Sequence, residues 1–76
     1  MNNKELVAGK FYLIKFTNDI EVTFYDRNYN DTTKLCKENS TRTARVVGMN
    51  KNNFVDLIIG AKACSIPCES FIAYSL

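Results

Sequence analysis

An all-β domain is the fold class the sequence predicts, and three observations predict it. Residues 10–16 are almost continuously apolar or aromatic. Residues 20–27 alternate, with Ile20, Val22 and Phe24 to one side and Glu21, Thr23, Tyr25 and Arg27 to the other. Residues 42–49 and 54–59 form a second pair of such runs, joined by Asn50-Lys51-Asn52-Asn53. Alternation with a period of two, broken by short polar turns, marks paired strands that bury one face. The 76 residues suffice for one small core and no second one, so 1–76 reads as a single domain.

Taken in order, residues 1–8 are expected to make a short helical turn capped by Asn3, with Leu6 and Val7 folded back on the core. Gly9 punctuates the start of the first strand. The link Thr17-Asn18-Asp19 then predicts a hairpin with a three-residue loop. In that register Phe16 pairs with Ile20, Ile14 with Val22 and Tyr12 with Phe24, so every pair on that face is apolar, while Lys15 meets Glu21 on the other. Residues 28–41 are polar, with only Tyr29, Leu35 and Cys36 to bury, and are read as a long loop with one helical turn near Asp31 or Thr32.

The second hairpin has an even-length turn, which sets Ala44, Val46 and Gly48 against Val55, Leu57 and Ile59 as core. Gly60-Ala61-Lys62 is a tight turn, 63–66 a short strand, 67–70 a 3-10 turn started by Pro67, and 71–74 the closing strand.

This order of elements resembles the SH3-like barrels, including their Sm-like and Tudor-like variants. The segment that carries the resemblance runs from Arg42-Thr43-Ala44-Arg45-Val46-Val47-Gly48 through Phe54-Val55-Asp56-Leu57-Ile58-Ile59 to Ser65-Ile66-Pro67-Cys68-Glu69-Ser70-Phe71-Ile72. The resemblance implies a small five-stranded barrel, with a long polar loop after the first hairpin and one 3-10 turn before the last strand. An open five-stranded OB barrel is the competing architecture, but it needs longer strands and a helix for which little chain is left.

Composition narrows the function. Ten Lys and Arg against eight Asp and Glu leave a net charge of +2, too small for a polybasic nucleic-acid binder and of the wrong sign for an acidic DNA mimic. Histidine is absent, which removes the commonest general base and metal ligand together. There is no Gly-rich phosphate loop, and Glu21, Asp26, Asp56 and Glu69 show no spacing that isolates an acid–base pair. The expectation is a protein without catalysis, cofactor or metal. Cys64 and Cys68 with Cys36 offer three thiolates where a structural zinc site needs four ligands, so Cys64 is read as core beside Ile66 and Cys68 as part of the 3-10 turn.

An odd number of cysteines, no signal peptide ahead of Val7 and no apolar run near the roughly 20 residues that span a bilayer predict a cytosolic protein with no membrane partner. The sequons at Asn30 and Asn39 are read as chance in an Asn-rich chain. Asn, Lys, Ile, Phe and Tyr dominate as in an AT-rich gene, such as that of a low-GC bacterium or its phage.

Both sides of the predicted sheet carry apolar residues. The first hairpin puts Phe11 opposite Tyr25 and Leu13 opposite Thr23 on the outside, and the second adds Val47, Met49, Phe54 and Ile58. The leading functional expectation is a small binding module encoded by a phage or mobile element, monomeric or a weak homodimer, which blocks or redirects a host protein. Its contact set is Phe11, Tyr25, Tyr29 and Phe54 with Lys34 and Lys37. The alternative is a single-stranded nucleic-acid binder using Arg42, Arg45, Lys34 and Lys37, with Lys10 nearby and Tyr12, Tyr25, Tyr29 or Phe54 to stack on bases. A third reading is a small subunit of a larger assembly.

Overall fold

The computed structural model describes residues 6–76; the helical turn expected around Asn3 lies largely outside them. Within them Leu6 packs against the core while Val7 is exposed. Seven strands follow: β1 (Phe11–Phe16), β2 (Ile20–Tyr25), β3 (Asp31–Cys36), β4 (Thr41–Met49), β5 (Phe54–Ile59), β6 (Lys62–Pro67) and β7 (Phe71–Ser75). A 3-10 turn over Cys68–Ser70 precedes the last. They form one antiparallel sheet in the order β3-β2-β6-β5-β4-β1-β7, whose two ends do not pair with each other. The all-β class, the second hairpin and the 3-10 turn are as expected; the five strands become seven and the sheet is not a closed barrel. No helix among the described residues is long and apolar enough to cross a membrane.

The expected first hairpin does not form. β1 pairs with β4 and β7, and β2 pairs with β3 and, through Tyr25 and Ala63, with β6. The Lys15–Glu21 and Phe11–Tyr25 pairs are therefore absent: Lys15 faces Thr41 and Ile72, Glu21 faces Leu35, and Leu13 lies between Thr43 and Tyr74. The link 17–19 turns a corner instead. Thr17 N donates to Ser70 O at 3.0 Å, Phe16 N to Ser40 O at 3.0 Å, and Glu38 N to Asp19 Oδ1 at 2.8 Å. These bonds tie the corner to the 3-10 turn and to the β3–β4 connection. Alternation still assigns the faces correctly, because parity along a strand does not depend on which neighbour it has. Tyr12, Ile14, Phe16, Val22 and Phe24 are all buried.

The second correction concerns the loop. Residues 31–36, read as loop or helical turn, form β3 and pair with β2 over six residues, with Thr23 and Thr33 hydroxyls 2.9 Å apart. β3 lies at the end of the sheet and its first five residues are exposed, so the strand carries no apolar alternation to betray it. Its β-branched pair Thr32-Thr33 is the local signal.

The second hairpin keeps the expected pairing at Val46–Leu57, then shifts by one residue at a bulge, so that Gly48 faces Asp56 rather than Val55 and Val47 stands outside. The β5–β6 turn is closed by Gly60 and Ala61, both left-handed at φ 56° and 65°. That is the two-residue geometry whose twist matches the flanking strands. The inner face gathers one core around Leu57, Val55, Ile66, Ile14, Phe16 and Phe71.

Candidate anion-binding cleft

The same register that builds the core also places three cations on its face. Arg42 is paired with the fully buried Ile14, Lys34 with Val22, and Lys62 with Ile59. Directly opposed residues in an antiparallel pair point to the same side of the sheet, so Lys34, Arg42 and Lys62 lie on the core side, Lys34 and Arg42 exposed there and Lys62 half-buried. The neighbouring strands β3-β2-β6-β5-β4 curl around a cleft of about 200 Å³, lined by Phe24, Lys34, Arg42, Ile59, Gly60 and Lys62. A second cleft of about 230 Å³ is lined by Phe16, Lys34, Leu35, Cys36, Lys37, Ser40 and Arg42. Lys34 and Arg42 stand in both. Among the described residues no carboxylate lines either cleft.

Four cations along two adjoining clefts make a positive groove on a protein whose net charge is only +2. Its apolar floor is Phe24, Ile59 and Phe16. The thiols beneath it register both influences. Burial pushes Cys64 up from 9.0 to about 12, with the neighbouring Cys36 adding to the rise and Arg42 opposing it. Burial likewise raises Cys36, against the pull of Arg42 and Lys34. Both thiols are thus held protonated, which makes them packing groups at neutral pH rather than nucleophiles.

The hairpin that supplies Phe24 and Lys34 ends in a turn organised by Asp26. Its carboxylate accepts from Asn28 N at 2.8 Å, Asn30 N at 3.0 Å and Asn30 Nδ2 at 3.4 Å. The backbone bonds to Asn30 and Asn28 hold the Asp26 carboxyl below its ordinary value, and the charge of Lys62 adds to the effect.

The expected protein-contact set is divided between two faces. Phe11 and Tyr25 lie in one outer row that crosses five strands as Phe11, Arg45, Ile58, Ala63 and Tyr25. Phe54 sits two rows away on the same face, opposite Pro67 and beyond the Asp56–Ser65 row, and Tyr29 stands at the β2–β3 turn. Lys34 and Lys37 belong to the clefts. Of the expected nucleic-acid set, Lys34, Lys37 and Arg42 are brought together, while Arg45, in the outer row beside Phe11, is on the opposite face. Lys10 precedes β1, and its carbonyl accepts from Val46 N at 2.9 Å. Tyr12 is buried in the core. Lys62 was missed; its signal is parity, since it alternates with Cys64 and Ile66, both inward.

Comparison with protein-family models, curated proteins and solved structures finds no match to this chain.

Proposed function

We propose that the chain is a non-catalytic cytosolic binding module that holds the phosphate backbone of single-stranded nucleic acid in its inner cleft. The observation that carries this reading is the convergence of Lys34, Arg42 and Lys62 on the core side of the sheet, with Lys37 continuing the groove and no carboxylate among the described lining residues. Lys34 and Arg42 are exposed and Lys62 half-buried along the cleft, where like charges repel one another and would gain from an anionic ligand. The fold we propose for it is an SH3-like barrel left open. In support, β4-β5-β6 is a meander, β2 and β3 form a long hairpin, and the chain returns through a 3-10 turn to set β7 beside β1.

Three or four neutralised phosphates predict a salt slope of about −2 to −3 in log affinity against log salt. The test is titration of a labelled oligothymidylate at several salt concentrations against the wild type and the double variant Lys34→Glu, Arg42→Glu. The reading expects that slope and loss of binding in the variant. A flat salt response, or a variant that binds as well as the wild type, contradicts it.

A second reading, a host-protein modulator, is favoured by the outer row, in which Phe11 is 56% and Tyr25 45% exposed. Aromatic side chains of that kind serve as interface anchors. Alanine at both positions should abolish capture of a nuclease-resistant protein partner if that reading is right, and unchanged capture would end it.

A further inference from the structure

Two turns of this molecule have the same construction. In the first, Asp26 N donates to Asn30 O at 3.1 Å, Tyr29 N to Asp26 O at 3.0 Å, and the amides of Asn28 and Asn30 to Asp26 Oδ1. In the second, Asn50 N donates to Phe54 O at 2.9 Å, Asn53 N to Asn50 O at 3.3 Å, and the amides of Asn52 and Phe54 to Asn50 Oδ1. Each turn requires a left-handed residue at its fourth position. Asn53 fills that position in one and Tyr29 in the other, both at φ 62°.

Asparagine tolerates the left-handed region through its short polar side chain; a bulky aromatic residue does not, and is an outlier there. Beyond its backbone bond to Asp26, Tyr29 buries little of itself in the fold, for it is 87% exposed. A strained, solvent-facing aromatic on a turn clamped by a carboxylate is displayed, with little freedom to lose on binding. Tyr29 also stands on the hairpin that gives the cleft Phe24 and Lys34. It precedes Lys34 by five positions, roughly 16 Å of extended chain, which is within the span of the several nucleotides a small β domain covers.

We propose that Tyr29 is a base-stacking platform, its ring receiving an unpaired base of the strand whose phosphates lie along Lys34, Arg42 and Lys62. Sequence-tolerant stacking of this kind supplies about 1–3 kcal/mol per base, which converts to roughly 5- to 150-fold in affinity. The inference rests on the cleft reading, and the experiment separates the two. The full chain and its variants Tyr29→Asn, Tyr29→Ala and Tyr29→Phe are titrated with an oligothymidylate and with an abasic oligomer of equal length.

The expected result is a 5- to 150-fold loss for Tyr29→Asn and Tyr29→Ala on the oligothymidylate, none on the abasic oligomer, an unchanged salt slope, and retained affinity in Tyr29→Phe. Tyr29→Asn should also raise the thermal midpoint by roughly 4 °C, because it relieves the strained residue while keeping the turn. Equal losses on both oligomers, or Tyr29→Asn binding oligothymidylate as the wild type does, overturn the platform while leaving the cleft intact. A wild type that binds neither oligomer overturns both, and a protein anchor then becomes the use to test for Tyr29.

Discussion

The inner face of the sheet has two regions built by the same rule and filled with opposite chemistry. At one, alternation delivers Ile14, Val55, Leu57 and Ile66 into a core with almost no exposure. At the other, the same alternation on β3, β4 and β6 delivers Lys34, Arg42 and Lys62. The first region is what folding requires. The second lies outside the packed core, with Lys34 and Arg42 exposed and Lys62 half-buried, so packing does not require these cations to share one face. Like charges gathered on one face in this way are where an anionic ligand would relieve repulsion.

The contrast predicts different answers to mutation, and the largest is in the core. Leu57→Ala, at a fully packed position, should lose about 2–5 kcal/mol of stability, read from urea unfolding. A loss below about 1 kcal/mol would mean the core is looser than its burial implies. Next is the cleft: Arg42→Gln should weaken oligonucleotide binding by roughly tenfold or more, because a charge-assisted contact is lost, while leaving the unfolding midpoint within about 0.5 kcal/mol of the wild type. If instead stability falls and binding does not, Arg42 serves the fold.

A smaller effect is expected where the two regions meet, at Cys64. Its thiol is raised by burial to about 12. Between 9.0 and that value the unfolded chain releases the proton while the folded chain keeps it, so stability falls as pH rises through this window. The slope from this group is at most about 1.4 kcal/mol per pH unit, and should appear as the difference between wild type and Cys64→Ala in unfolding at about pH 8 and about pH 10.5. Parallel curves for the two proteins would mean that the thiol is hydrated in the folded state.

Much of this was legible in the sequence. Parity along β1, β2, β5 and β6 named the inward residues before any partner strand was known, and Asn50-Lys51-Asn52-Asn53 and Pro67 marked their turns. Partner choice was not legible. A three-residue link serves equally as hairpin loop or corner, and the bonds that make 17–19 a corner come from Ser40, Glu38 and Ser70, far along the chain. β3 was hidden because an exposed strand needs no hydrophobic period. That error also hid the cleft: once β3 is a strand, Lys34 alternates with Cys36 and turns inward, toward Arg42 and Lys62. The turn at Asp26 was hidden as well, because its left-handed residue is a tyrosine rather than an asparagine.

Urea unfolding of wild type and of a triple variant, Lys34→Met, Arg42→Met and Lys62→Met, with and without oligothymidylate, tests the central claim most directly. Ligand at about 100 times its dissociation constant should add about 2.7 kcal/mol to the wild type. The account predicts that the triple variant is at least as stable as the wild type without ligand and gains nothing from it. A triple variant that is markedly less stable alone, or that gains as much from the oligonucleotide as the wild type, would contradict it.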